Sequence, residues 1–127
     1  MIRGKIKNKT YNNFCLYWLP VIFWALLIFS LSSFSAFPRA VQPLFSFDKL
    51  AHSLEYAVLS FLLARAFGNS KKNNLKIYFR FLAVICAIVY AMSDELHQYF
   101  VPMRTPSIID LIYDSIGAII GQRFFKK

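Results

Sequence analysis

Acidic residues are scarce in this sequence, and the motifs of the common soluble enzyme classes are missing. Six Asp and Glu stand against fifteen Lys and Arg. Cys15 and Cys86 lie in apolar runs without metal-ligand spacing, which excludes a zinc-type site and predicts packed thiols. There is no Gly-rich phosphate loop, and no serine or cysteine nucleophile stands beside a histidine. Nucleotide-binding and hydrolase motifs are therefore absent.

What the sequence has in abundance is apolar surface. Hydrophobic residues make up 57% of its 127 residues, and the mean hydropathy is +0.46. A soluble domain of this length cannot bury so much, so the excess requires lipid or a very large partner interface. The formal charge of +9 suggests nucleic acid, but the basic residues lie between and outside the apolar runs. We therefore expect a lipid bilayer, and no nucleic acid, as the partner.

Four apolar runs predict an all-α integral membrane bundle of four transmembrane helices. The runs fall at residues 14–35, 50–67, 77–97 and 108–125, after a basic segment at residues 1–13. The end of the first run, with Ser33 and Ser35, also resembles a secretory signal. Phe34 and Phe37 are poor surroundings for a peptidase, so we expect this segment to be retained.

The charges outside these runs predict the orientation. Twelve basic residues and no acid fall on one side of a four-span topology. All six acids and both histidines fall on the other side, together with Arg39, Lys49 and Arg104. Because cytoplasmic loops are enriched in Lys and Arg, we expect both termini in the cytoplasm and the acidic side facing outward.

The second run presents a polar stripe. Asp48, His52 and Glu55 or Tyr56 follow at helical spacing, with Glu55 about 10 Å deeper than Asp48. Capping of the helix start also explains Asp48, and a packed core histidine also explains His52. Glu55 has no comparable explanation, since a carboxylate at that depth must be protonated, paired or hydrated.

The third run ends in a second polar stripe. Asp94 and Gln98 share one face, and Glu95 is turned about 100° away from them. A short connector containing two prolines holds Arg104 near the helix ends. The same run also carries a stripe of small residues suited to close helix contact, Ala83, Ala87 and Ala91.

The fourth run continues this pattern with two carboxylates followed by two glycines. Asp110 and Asp114 are four residues apart, and Gly117 and Gly121 extend the same face inward. Stabilisation of a helix N-terminus explains Asp110 better than Asp114. The small-xxx-small spacing predicts close helix packing, either inside the chain or in a homodimer through Gly117 and Gly121.

These stripes suggest two kinds of chemistry. Lys49, Arg104 and a protonated His52 can receive an anion such as phosphate or carboxylate. The carboxylates can act as base and acid, or hold a hard divalent cation; they are Asp48, Asp94, Glu95, Asp110 and Asp114. A structural network in which aspartates pair with Arg104 and Lys49 is the alternative.

Three ordered motifs resemble the VanZ-like family of small bacterial multi-span membrane proteins, named for a member linked to teicoplanin resistance. The motif residues are Asp48, Lys49, His52 and Tyr56, then Asp94, Glu95, Gln98, Phe100, Pro102 and Arg104, then Asp110, Asp114, Gly117, Ala118 and Gly121. The resemblance covers about residues 14–121 and implies a role in the cell envelope. Two positions depart from it: Met103 stands where Gly is usual, which we expect to tighten the connector, and Asp114 where Asn is frequent.

We therefore expect a multi-pass protein of the bacterial plasma membrane with an outward-facing polar pocket for a lipid-linked or peptidoglycan-related anion. The expected acid/base or catalytic residues are His52, Asp94, Glu95 and Asp110. The expected substrate-binding residues are Asp48, Lys49, Tyr56, Gln98, Arg104 and Asp114. No metal or cofactor is assigned. A non-catalytic protein that shields the envelope from glycopeptide is the alternative. An ion-coupled carrier ranks third, because only Arg65 and Arg80 lie deep toward the cytoplasmic side.

Overall fold

The computed structural model describes residues 2–34 and 45–126, with side chains described for residues 14–34 and 49–126. Within these ranges every regular element is a helix, in the order α1 Ile2–Ser33, α2 Phe45–Gly68, α3 Asn73–Ile77, α4 Phe79–Gln98 and α5 Ile108–Phe124. The predicted all-α class is confirmed.

The four predicted runs correspond to the four long helices, with differences at their ends. α1 begins at Ile2, so the basic segment continues this helix instead of preceding it. Lys and Arg are good helix formers, which is why a charged segment can extend an apolar helix. The third run is interrupted at Tyr78, because α3 ends at Ile77 and α4 begins at Phe79.

Two helices are long and apolar enough to cross a membrane, judged by length and composition. The windows are Phe14–Ser33 in α1 and Lys49–Gly68 in α2, with mean hydropathies of 2.2 and 1.2. The first window begins at the residue where the sequence predicts a membrane segment. The second has the lower hydropathy because it contains the polar stripe of α2.

The closest helix contact joins α2 and α5. A Cβ atom added at Gly117 would overlap the backbone carbonyl of Ser53, and one at Gly121 would overlap that of Ala57. These two contacts have the same sequence separation, so the helices run in the same direction. The glycine face is therefore packed against α2 within the chain, and a homodimer through the same face stays a prediction.

α4 and α1 complete the packing around α2. The alanine stripe of α4, Ala83, Ala87 and Ala91, is fully buried, as expected for a close contact. The Tyr90 hydroxyl of α4 donates a hydrogen bond to the Ala25 carbonyl of α1 at 2.6 Å. Trp24 Nε1 donates to the Glu55 carbonyl of α2 at 2.9 Å. α1 thus contacts both neighbours through side-chain hydrogen bonds.

The outer faces of the helices are apolar, whereas many buried side chains are small or polar. Exposed large apolar residues occur on every long helix, among them Phe23, Leu26, Leu54, Phe81, Val89, Ile112, Ile116 and Ile119. The expectation that Cys15 and Cys86 are packed is wrong, because both are exposed. Both lie among the exposed apolar residues of α1 and α4, so they belong to the outer surface.

Candidate functional site

Polar side chains from four helices meet at one end of the bundle, where α1 and α4 end and α2 and α5 begin. Gln98 Nε2 of α4 donates to Ser32 Oγ of α1 at 3.1 Å. Ser33 Oγ of α1 lies 3.0 Å from His97 Nε2 of α4. We call this group the polar cluster: Ser32, Lys49, His52, Tyr56, Asp94, Glu95, Gln98, Asp110 and Asp114.

Two pairs, each of a basic and an acidic side chain, connect α2 to α5. Lys49 Nζ lies 3.1 Å from Asp110 Oδ1, and the two side chains are 30% and 18% exposed. One turn deeper, His52 Nδ1 lies 3.6 Å from Asp114 Oδ1, with exposures of 13% and 2%. The first pair is reachable from solvent, and the second lies behind it.

The floor of the cluster contains buried oxygen atoms with no hydrogen-bond partner among the described residues. They are Tyr56 Oη, Asp94 Oδ1 and Asp114 Oδ1. They come from α2, α4 and α5, and all three side chains are buried. Buried polar atoms are nearly always hydrogen-bonded in folded proteins, and an unbonded group has a functional or solvent-related cause. Each of these atoms therefore needs a polar partner other than the described side chains, such as water.

Asp94 and Gln98 share a face of α4, as the sequence predicts. Gln98 Nε2 lies 3.2 Å from Asp94 Oδ2, so it contacts both this carboxylate and Ser32. Gln98 is 2% exposed and Asp94 5% exposed. Gln98 therefore orients the Asp94 carboxylate and leaves Oδ1 as its unbonded atom.

Glu95 contacts the start of α5. Its Oε2 accepts a hydrogen bond from the Ser107 backbone N–H at 2.7 Å. The Ser107 hydroxyl in turn accepts from the Asp110 N–H at 3.3 Å, which makes Ser107 the N-cap. Glu95 thus fixes the position of α5 relative to α4. Asp110 lies in the first turn of α5, where a carboxylate stabilises the helix N-terminus, as the sequence suggests.

Arg104 lies at the edge of the site and bonds to α1. Its Nε donates to the Phe34 carbonyl at 3.2 Å. No described carboxylate forms an ion pair with it, so the alternative network is found for Lys49 and not for Arg104. The preceding Met103 has a φ of 65°, a left-handed conformation that favours glycine. Glycine, which is usual at this position in the VanZ-like family, would adopt the same conformation without strain.

Two predicted residues need separate mention. The side chain of Asp48 lies outside the described residues, although its backbone belongs to α2. Glu55 is partly buried, and its backbone carbonyl accepts the hydrogen bond from Trp24 Nε1. The expectation that its carboxylate needs a partner stays a prediction.

Sequence reasoning missed two polar contacts. Ser32 enters the cluster from α1, a helix for which the sequence predicts no site residue. Deeper in the bundle, Gln122 Nε2 of α5 donates to Ser60 Oγ of α2 at 2.6 Å, and Ser60 is fully buried. This second contact adds a polar pair to the deep region that seemed to hold only Arg65 and Arg80. In both contacts a serine on one apolar run meets a glutamine on another. This pairing of residue types, without any periodic pattern, was the only sign of them in the sequence.

The composition of the cluster limits its chemistry. Among the described side chains, no three Asp, Glu, His or Cys residues converge as a metal site would require. The cluster contains four carboxylates but only Lys49 and His52 as basic side chains, and these two lie next to Asp110 and Asp114. Most of its polar atoms are therefore hydrogen-bond acceptors. The Asp114 carboxylate lies near His52 Nδ1, and a carboxylate near an imidazole favours its protonated form. The arrangement therefore suits proton exchange and the binding of a polar headgroup.

A model of the VanZ/LLP1 family matches residues 5–126. The chain belongs to the VanZ/LLP1 family. The match includes the whole polar cluster, so the resemblance carried by the three motifs is confirmed at the level of the family. No curated protein and no solved structure matches this VanZ/LLP1 chain.

Proposed function

We propose that the protein is a four-span component of the bacterial plasma membrane whose polar cluster faces outward and binds an anionic group of an envelope molecule. The support for four spans is the distribution of polarity. On α4 and α5, as on α1 and α2, large apolar residues point outward, while Asp94, Gln98 and Asp114 point inward. Lipid is the solvent that suits an apolar outside and a polar inside.

The lengths of the shorter helices agree with this proposal. α4 has 20 residues and α5 has 17, which correspond to roughly 30 Å and 25 Å at the helical rise. A hydrocarbon core is about 30 Å thick. The basic residues before α1, around α3 and at the C-terminus then lie on the cytoplasmic side.

The observation that carries the binding proposal is the order of groups along α2. Lys49 is at the partly exposed entrance, His52 lies one turn deeper, and the unbonded oxygen of Tyr56 lies behind both. Lys49 has three N–H donors, and Asp110 accepts one hydrogen bond from it. An incoming phosphate or carboxylate can contact Lys49 and His52, while hydroxyl or amide donors of the same molecule reach the buried carboxylates. A lipid-linked or peptide precursor of the envelope carries both kinds of group.

Two modes of action follow from this site. In an enzyme, His52 near Asp114 exchanges a proton with the bound molecule, and Asp94 acts as a second acid/base group. In a shielding protein, the same contacts hold the molecule and limit its access to a glycopeptide. The proximity of His52 to Asp114 favours the first mode, because a carboxylate near an imidazole supports proton exchange at that side chain.

Orientation is tested by thiol labelling. Thr105→Cys and Lys72→Cys are made in a background in which Cys15 and Cys86 are replaced by serine. A membrane-impermeant maleimide should label position 105 in intact cells and position 72 only after permeabilisation. The reverse pattern would contradict the outward-facing cluster, and labelling of both positions in intact cells would contradict the four-span topology.

Chemistry is tested with purified protein in lipid nanodiscs and a lipid-linked peptidoglycan precursor. The wild-type chain should bind the precursor and convert it, whereas Asp94→Asn should bind but not convert it. Lys72→Gln is the control at the opposite end and should behave as wild type. Binding without conversion by the wild type would favour the shielding mode. Absence of binding to the precursor and to teicoplanin would overturn the proposed function.

A further inference from the structure

The opposite end of the bundle contains a cavity that the polar cluster does not use. It has a volume of about 670 Å³ and lies between the start of α4 and the end of α5. We call it the basic groove, and its lining residues are Arg80, Val84, Ile119, Gln122, Arg123, Phe125 and Lys126. Its position is distinct from the polar cluster, which occupies the other ends of the same two helices.

One half of the basic groove is positively charged. Arg80, Arg123 and Lys126 line it, and no acidic residue belongs to the lining. Arg80 Nη2 donates to the Phe125 carbonyl at 3.1 Å, which uses one of the five N–H donors of a guanidinium. Cations without a carboxylate beside them attract an anion, and Arg groups match the geometry of phosphate oxygens.

The other half of the basic groove is apolar and firmly anchored. Phe125 is buried, with its ring 5.7 Å from that of Phe61 and 5.4 Å from that of Phe79. This contact fixes the chain end, so Arg123 and Lys126 flank a defined position. Val84 and Ile119 continue the surface along the helices, and Ile119 is 56% exposed. A ligand for this groove must therefore combine a negative head with an apolar body.

We propose that the basic groove binds an anionic phospholipid of the cytoplasmic leaflet. The headgroup phosphate contacts Arg80, Arg123 and Lys126, and an acyl chain lies along Val84 and Ile119. The assignment rests on the four-span orientation proposed above, which places this end of the bundle at the inner headgroup region. Basic pockets between membrane helices on the cytoplasmic side are known to suit such headgroups.

The test measures which lipids stay bound to the purified chain. The protein is inserted into nanodiscs of equal parts phosphatidylglycerol and phosphatidylcholine, and retained lipids are identified by native mass spectrometry. The double variant Arg123→Gln/Lys126→Gln keeps the contact between Arg80 and Phe125. The matched control, Lys72→Gln/Lys76→Gln, removes the same charge from the same end but outside the basic groove.

The wild type should retain phosphatidylglycerol in clear preference to phosphatidylcholine. In the groove variant, the loss of two basic residues should lower the preference for phosphatidylglycerol roughly 30-fold. The control variant should keep the preference of the wild type. An equal loss in both variants would overturn the site in favour of a diffuse charge effect. Displacement of phosphatidylglycerol by added inorganic phosphate would show that the lipid body does not matter, and would also overturn the proposal. A chain that fails to enter the bilayer would contradict the four spans, whereas insertion without lipid preference would contradict only the groove.

Discussion

The two ends of the bundle treat charge in opposite ways. At the end with the polar cluster, acids and cations from different helices pair with each other, and several side chains are almost fully buried. At the end with the basic groove, cations line an open surface with no acid among them. Paired and buried charges restrict the geometry of a site, whereas exposed charges of a single sign attract a partner of opposite charge.

This difference teaches that the charge asymmetry of the sequence has two separate causes. In the proposed four-span orientation, the cationic end is explained by the enrichment of exposed Lys and Arg on the cytoplasmic side. The acidic end has no such explanation, because Asp114 is 2% exposed and lies in the interior. Burial of a carboxylate costs free energy unless the group is paired, so a buried carboxylate indicates a partner or a function.

The largest change in stability is expected when the close contact between α2 and α5 is broken. Gly117→Ala places a Cβ against the Ser53 carbonyl, so α5 must move away from α2. We expect a loss of about 3 kcal/mol in the free energy of unfolding, measured in mixed micelles. Gly68→Ala is the control, because its Cβ would meet Phe79 at an ordinary 3.5 Å. Equal stability of the two variants would contradict the close α2–α5 contact.

A smaller loss is expected when the orientation of Asp94 is removed. Gln98→Leu removes the donor to Asp94 Oδ2, so neither oxygen of this buried carboxylate has a described hydrogen bond, and it also breaks the bond to Ser32. The expected cost is about 2 kcal/mol of unfolding free energy. Arg123→Gln, at the exposed end, should change the same quantity by less than about 0.5 kcal/mol. A larger effect at Arg123 than at Gln98 would reverse the comparison between the two ends.

Relief of backbone strain should stabilise the connector beside the polar cluster. Met103 has a positive φ, and its side chain is 84% exposed, so glycine loses almost no packing there. We expect Met103→Gly to raise the free energy of unfolding by about 1 kcal/mol. Met92→Gly, inside α4, serves as the opposite control and should destabilise the chain. Destabilisation by Met103→Gly would contradict the left-handed conformation.

The smallest effect concerns the pair at the entrance. A double-mutant cycle of Lys49→Gln and Asp110→Asn should give a coupling of about 0.5 kcal/mol that decreases with added salt, because both groups are partly exposed. If no coupling energy is measured at low salt, Lys49 and Asp110 do not form the expected ion pair.

Much of this arrangement could be predicted from the sequence, since helical spacing alone placed Asp94 with Gln98 and Asp110 with Asp114. The end where the polar residues meet followed from counting charges on each side of four spans. The role of Ser107 as N-cap and the contact of Glu95 with its N–H could not be predicted, because they depend on the path of the connector. Ser32 and Gln122 were missed because an isolated serine or glutamine in an apolar run has no periodic signal. The basic groove was hidden for a similar reason: its cations come from the start of one helix and the end of another.

The central claim is that the paired end of the bundle, and not the exposed basic end, binds the envelope molecule. The most direct test compares the dissociation constant of a lipid-linked peptidoglycan precursor for two variants in nanodiscs, Lys49→Gln and Lys72→Gln, which each remove one positive charge. Loss of a charged contact at the polar cluster should weaken binding about tenfold or more for Lys49→Gln, while Lys72→Gln stays within about twofold of wild type. Equal weakening in both variants, or a larger effect for Lys72→Gln, would contradict the claim.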